Sequence, residues 1–376
     1  MVLIDVGPGT LLATPGMLLL ALVLGAVCQS VLAQPSLTLG GRLDVDVAHY
    51  SPDETPLDSG WNLRRLRGEI GGGLNQNTSY YVLADFKDGE YRAQASWLRY
   101  RFDQENELYA GRIELPFSLQ RVTNSQYNLF MERALPAAMT RHYGTGLVYQ
   151  HKGRRWNFRG GLFGKDRLNF GRSQTFGNAV AVRFGRRIHA GNSRLWLGAG
   201  AMYQDAIDVE RVRARPESSV TDRRLVDSGR LRDLEKITRV GLEGVWKKGP
   251  WSLQAEWIKY SARRTDAGNL NFAGGYVEVA HVFNGRRRFS FRSGEWMSPQ
   301  VTKFKTWELA FRASHIDLQE KTVSGGRETN YSLGLNFYFN PGNRLLLNWI
   351  KVYAGPNRRG IDESPDILQA RLQIGF

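Results

Sequence analysis

The sequence predicts an all-β fold, a 16-stranded antiparallel transmembrane β-barrel, and three observations carry that expectation. Apolar and polar residues alternate with period two along most of the chain, the signature of strands with one apolar and one polar face. The alternating segments are about ten residues long, rich in glycine and ended by aromatic residues, as in strands that cross a bilayer. The chain closes on Leu372-Gln373-Ile374-Gly375-Phe376, an alternating strand with the terminal aromatic that the barrel-assembly machinery of bacterial outer membranes reads.

Composition narrows the class before any element is placed. The chain has 376 residues, 51 Lys+Arg against 36 Asp+Glu and a formal charge of +15, with 42% hydrophobic and 23% charged residues. These figures exclude disorder and collagen. With Cys28 as the sole cysteine, a structural disulfide or a thiolate metal site within one chain is excluded. The histidines, His49, His142, His151, His189, His281 and His315, lack ligand spacing, and no HExxH occurs. No metal, cofactor or catalytic site is therefore expected. Residues 1–33 read as a secretory signal peptide: Leu18 to Val27 is apolar and Val31-Leu32-Ala33 suits a signal peptidase, although Met1 to Pro15 holds Asp5 and no Lys or Arg. After it no stretch of about 18 apolar residues occurs, so no transmembrane helix is expected. Export and the strand pattern also argue against a nucleic-acid partner.

The barrel is expected to occupy 34–376. Its first strand, 37–50, sets Leu43, Val45 and Val47 against Arg42, Asp44 and Asp46. The second, 63–74, sets Leu66, Gly68, Ile70, Gly72 and Leu74 against Arg65, Arg67 and Glu69. In the third, 79–87, Asp85 and Lys87 alternate with Ala84 and Phe86; in the fourth, 91–102, Arg99 and Arg101 oppose Leu98, Tyr100 and Phe102. The same rhythm places strands at 107–113, 144–152, 155–163, 177–187, 193–204, 237–247, 250–260, 273–284, 304–315, 329–339 and 343–353. It ends at 367–376, where Leu368, Ala370, Leu372, Ile374 and Phe376 oppose Gln369, Arg371 and Gln373. Tight turns such as Asn340-Pro341-Gly342-Asn343 alternate with longer connections at 51–62, 114–143, 204–236, 316–328 and 354–366.

A soluble sandwich or propeller could also hold this many strands, and the two faces decide between them. A single barrel of this size encloses more volume than Leu and Val can fill, so its interior must be polar and wet and its apolar face must meet lipid. Tyr80, Phe86, Trp156, Trp246, Trp251, Tyr260, Trp307, Phe339 and Trp349, near strand ends, are expected to form the interfacial girdles.

Several motifs resemble the phosphate-selective porins O and P. In the first third they are Arg64-Arg65 with Arg67-Gly68-Glu69-Ile70, Gly111 with Pro116-Phe117-Ser118-Leu119, and Phe130-Met131-Glu132-Arg133. Later come Gly274-Gly275-Tyr276-Val277, Trp307-Glu308-Leu309-Ala310, Ile316-Asp317-Leu318 and Gly325-Gly326, then Leu333 to Pro341 with Asn348-Trp349. The resemblance implies a homotrimer of barrels in the bacterial outer membrane, each narrowed by an inward-folded third extracellular loop, here 114–143. It implies passive diffusion of anions, phosphate or polyphosphate foremost, through a pore lined by arginine and lysine. A general anion or small-solute porin of the same fold, or a structural outer-membrane barrel, stays open. Glu114 stands where the family often carries a lysine, which bears on the solute.

Guanidinium groups present forked donors that match phosphate oxygens, and a ladder of moderate sites allows release. Strand parity points Arg65, Arg67, Arg99 and Arg101 into the lumen, with Lys87 and Asp85. The resemblance carries Asp85 over as an acidic lumen residue that orients cations or bonds a protonated phosphate. Arg64 has the opposite parity unless a bulge re-aims it, and the resemblance favours it as half of an adjacent arginine pair. Arg121 belongs to the inward loop. Lys303 and Lys305 read either as pore-lining or as charges solvated at the periplasmic turn. The 204–236 connection balances eight basic against eight acidic residues and reads as a long, solvated extracellular loop. Many remaining barrel arginines are expected at the rim against the phosphates of outer-membrane lipid.

Overall fold

The computed structural model describes residues 35–376 apart from 90–91, 165–176, 206–208, 266–267 and 357–359. The expected signal peptide, 1–33, lies outside the described residues. Sixteen strands close a barrel in chain order, each antiparallel to its neighbours. They are Thr38–Tyr50, Gly60–Gly73, Thr78–Asp85, Arg92–Arg101, Asn106–Glu114, Tyr143–Lys152, Trp156–Phe163 and Ala179–Ala190, followed by Ser193–Asp205, Leu234–Lys248, Trp251–Arg264, Leu270–Phe283, Thr306–Glu320, Val323–Tyr338, Arg344–Ala354 and Asp366–Gly375. The first strand pairs with the last, from Arg42 opposite Gly375 to Tyr50 opposite Ile367, so no sheet edge is left with unpaired backbone groups.

The wall is built inside out, as the alternation predicts. On the last strand Leu368 and Leu372 are 60% and 41% exposed, whereas Arg371 and Gln373 are buried in the interior. Leu98, Leu162, Val182, Leu242, Leu309 and Leu333 continue the outward apolar surface around the barrel. Among the expected girdle residues, Phe86, Trp156, Trp251, Trp307 and Trp349 are exposed on that surface. Tyr260 is a correction: it is fully buried and points inward, stacked on Phe272 beneath Arg239.

Three further expectations are corrected. The 316–328 stretch is wall, not a long connection: its two strands run on to Glu320 and from Val323, because Ile316 and Leu318 continue the inward parity and bury completely. The connection between the twelfth and thirteenth strands lies at the end of the barrel that otherwise has tight turns, and no element was expected in it. It folds into a hairpin, Gly285–Ser290 with Glu295–Val301, whose Phe289, Phe291 and Trp296 pack on Trp196 and Val245 of the wall. The 204–236 segment is not solvated throughout. Glu217, Ser218, Ser219, Thr221, Leu225 and Val226 are buried, and Ser219 Oγ donates to Asp46 Oδ2 at 2.6 Å.

Gly111 shows why one position of the wall cannot carry a side chain. Its φ of +132° lies outside the range that L residues adopt, and a Cβ there would stand 2.2 Å from the Ser96 carbonyl oxygen. Gly111→Ala is expected to cost about 1 to 3 kcal/mol, read as an earlier midpoint for loss of the folded, heat-modifiable band on gels. An unchanged midpoint would refute the strain.

Candidate pore and anion path

A segment lying inside a barrel brings buried backbone donors and acceptors that need partners, and the inner wall supplies them to 115–142. Arg239 Nε donates to the Met139 carbonyl at 2.7 Å, Arg312 Nη1 to the Glu132 carbonyl at 3.0 Å, and Arg344 Nη2 to those of Gln126 and Asn128 at 2.8 Å. Arg371 Nη1 donates to the Met131 carbonyl, and Arg287 of the hairpin donates to that of Tyr127 at 2.7 Å. Glu256 accepts from the Leu119 amide at 2.9 Å, and Asn348 from the Met131 amide at 3.0 Å. These arginines hold the segment against the wall.

Carboxylates neutralise several cations, Arg371 and Arg312 among them. Arg371 forks onto Asp46 at 2.6 and 2.7 Å and reaches Glu132 at 2.7 Å. Arg42 and Arg65 share Asp44, at 2.8 and 2.7 Å, and Arg64 grips Glu132 through two bonds of 2.7 and 2.8 Å. Burial alone would raise the Glu132 pKa, but the guanidinium groups of Arg64 and then Arg371 outweigh it and hold the carboxyl well below its ordinary range. Arg312 joins Glu217 and Glu278 in the same way, so it ties both buried segments to the thirteenth strand.

Three cavities follow the second strand from its loop end to its turn end. Near Arg64 a cavity of about 290 Å³ is lined by Arg64, Arg121, Arg133, Arg213, Arg215 and Arg224, with Glu132 and Glu217. Beside Arg67 lies a second, of about 350 Å³, lined by Arg67, Arg133 and Arg159 with Glu114, Glu295, His142, Tyr81 and Trp97. Past Gly71 a third, of about 330 Å³, is lined by Arg99 and Arg101 and again by Tyr81 and Trp97. Arg133 belongs to the first two cavities, and Tyr81 and Trp97 belong to the last two. Arg133 has no carboxylate partner at ion-pair distance among the described residues; it donates to the carbonyls of Gln120 at 2.6 Å and Thr123 at 3.4 Å.

The residues predicted from sequence fall into distinct places. Arg64 reaches the first cavity through a bulge: the pairing passes from Asp44 and Arg65 to Val45 and Leu63, skipping it. Arg121 lines the first cavity and bonds to Thr140 and the Ala137 carbonyl. Arg67 lines the second cavity, held by Asp85 at 3.0 Å, while Arg65 is buried on Asp44 and lines none of the three. Arg99 and Arg101 line the third, each facing Glu107 at 3.6 and 3.5 Å. Lys87 is half-buried in a short turn after Asp85, its backbone amide donating to that carboxylate. Lys303 and Lys305 are exposed at the foot of the hairpin, outside the three cavities. Sequence reasoning passed over Arg133, Arg159 and Glu295. Arg133 lies inside a family motif, and Arg159 has the inward parity of its strand, but nothing local to Glu295 signals an inward hairpin except a long connection at the tight-turn end.

Comparisons with known proteins agree with this architecture. The chain is 24% identical to Porin O of Pseudomonas aeruginosa over 91% of its own length and 88% of that protein. Among solved structures, the anion-selective porin from Comamonas acidovorans superposes with a TM-score of 0.60 at 13% identity, over 91% of this chain and all of that one. The trimer form of OmpT from Vibrio cholerae gives 0.59 at 11% identity, over 91% and 99%. Such barrels are channel proteins of the bacterial outer membrane, and residues 37–376 match the family described as phosphate-selective porin O and P. With nearly the whole chain matched and the barrel closed as described, this protein belongs to the phosphate-selective porin O and P family.

Proposed function

We propose that the chain is an outer-membrane channel for passive diffusion of small anions, with phosphate or polyphosphate as the preferred solute. The observation that carries this reading is the succession of three cavities, joined by Arg133 and then by Tyr81 and Trp97 and lined throughout by guanidinium groups. Low-dielectric walls focus the field of such cations and concentrate anions along the path. Moderate sites in series let an anion leave as well as bind. In this reading Arg64 and Arg121 gather anions, Arg67 and Arg133 carry them through the middle, and Arg99 and Arg101 receive them at the turn end. Segment 114–143 is the constriction. The family description and the selectivity named for the Comamonas acidovorans structure support anion passage, and the trimer form of the Vibrio cholerae neighbour supports a homotrimer. Export by a signal peptide over 1–33 and delivery to the assembly machinery through Phe376 complete the proposal.

The test is single-channel conductance of the refolded protein in planar bilayers, in chloride with phosphate titrated from the extracellular side. Saturable block with an anion-biased reversal potential is expected, and Arg67→Ala should raise the half-blocking phosphate concentration by about tenfold. Unblocked current would favour a general anion or small-solute porin, a reading that Glu114 and Glu295 in the middle cavity support. Absence of conductance would leave a structural barrel.

A further inference from the structure

We propose that the turn-end rim of the seventh and eighth strands is a binding site for an anionic phospholipid, its phosphate on Arg154 and Arg186 and its acyl chains on the apolar wall beside them. The site lies on the outer face of the barrel, apart from the three cavities, and does not depend on the channel reading.

Charge is distributed differently at the two ends of the wall. At the loop end three outward cations meet carboxylates, Arg263 with Glu235 and Arg327 with Asp317 at 2.8 Å and Lys351 with Asp366 at 3.0 Å, while Lys259 stands exposed on its own. At the turn end the segments 152–156, 186–194 and 247–251 hold eight lysines and arginines and no carboxylate. Lys152 and Lys247 turn inward, to Glu107 at 2.7 Å and to the Arg287 carbonyl, and Arg187 lies 5.7 Å from the centre of the inward Phe291 ring. Arg154, Arg155, Arg186, Arg194 and Lys248 are left exposed, and among the described residues none of the five has a carboxylate at ion-pair distance.

The surroundings of Trp156 turn that excess into a site. Trp156 stands directly opposite Arg186 in the register, and Phe158 opposite Phe184. The Arg186 guanidinium lies 4.7 Å from the centre of the Trp156 ring, which is itself 4.8 Å from that of Phe184. Stacking fixes the guanidinium at the headgroup level, where indole rings prefer to sit, and leaves its forked donors for a phosphate oxygen. Arg154, two residues before Trp156, has the same outward parity. Towards the middle of the wall Phe158, Val182, Phe184 and Leu197 are 37%, 37%, 42% and 46% exposed, an apolar surface for acyl chains. A zwitterionic headgroup would bring an ammonium to a rim with no carboxylate to receive it, so the site discriminates by an unfavourable element as well as a favourable one.

The test is native mass spectrometry of the refolded full chain in detergent, with equimolar phosphatidylglycerol and phosphatidylethanolamine of matched acyl chains. The unmodified protein is expected to retain phosphatidylglycerol in preference. Arg186→Gln and Arg154→Gln should each lower that preference about fivefold, and Lys259→Gln, at the loop end, should leave it unchanged. Both arginine variants should keep the folded, heat-modifiable band and the chloride current of the unmodified protein, because neither residue lines a cavity. Equal retention of the two lipids, a preference that neither arginine variant moves, or an equal fall in Lys259→Gln would overturn the inference. Release of the bound lipid by inorganic phosphate at the lipid's own concentration would also overturn it, since the rim would then be a site for the free anion.

Discussion

Arg133→Ala is expected to raise the half-blocking phosphate concentration at least tenfold and to reduce the anion bias of the reversal potential. Arg133 lines both the loop-end and the middle cavity, so an anion passing between them meets this guanidinium whichever way it travels. Its charge is not cancelled by a carboxylate at ion-pair distance among the described residues; its donors go to two carbonyls. Burial in the interior pulls its pKa below the ordinary value, the mark of a cation short of solvation, which an arriving anion supplies. A hydrogen bond to a charged group contributes about 1.5 to 3 kcal/mol, and about 1.4 kcal/mol is tenfold in affinity. Arg133→Lys keeps the charge but loses the fork, so it should recover part of the block. If Arg133→Ala blocks like the unmodified protein, the path does not run through this residue.

Arg312→Met is expected to enlarge the channel and weaken the barrel together. Arg312 is buried, bonded to Glu217 and Glu278 and to the Glu132 carbonyl, and its guanidinium lies 4.3 Å from the Phe130 ring centre. Truncating one member of such a buried network costs about 3 to 5 kcal/mol, because the partners stay buried and unpaired. Two segments, 115–142 and the one bearing Glu217, lose a shared anchor. Conductance should rise several-fold, its noise should increase, and anion bias should fall because two carboxylates are left without their cation. The folded band should also be lost at lower temperature. A second change, Glu217→Gln, removes one orphaned charge and should recover part of the stability without recovering the small conductance. Conductance unchanged in Arg312→Met would mean that this arginine does not hold the path narrow.

The strands were legible because their cause is local. Water or polar partners on one side and lipid on the other impose a two-residue period, and Leu368, Gln369, Leu372 and Gln373 declare their faces without reference to any other part of the chain. The 316–328 stretch was misread because its inward residues, Ile316 and Leu318, are apolar where a wet lumen calls for polar ones. They pack into the interior core that also holds Tyr260 and Phe272, and an inward apolar cluster breaks the simple rule that polar means inside.

By itself the sequence determined the sixteen strands in order, the apolar belt, the polar lumen and the family motifs, all properties of short windows. It also placed Arg64, Arg67, Arg99, Arg101 and Arg121 among the candidates that do line cavities. Only the tertiary structure decided which arginines line the cavities and which are buried against carboxylates. Arg65 and Arg371 share the inward parity of Arg67, and all three meet aspartates, yet only Arg67 still lines one of the cavities. Glu132 reaches Arg64 across 68 positions and Arg371 across 239. An arginine's availability depends on what folds against it, and the segments that fold into this lumen come from 115–142, from the segment around Glu217 and from the hairpin at the opposite end. Pairings over such separations leave no trace in local periodicity, because they are set by the closure of the barrel and the burial of backbone groups inside it.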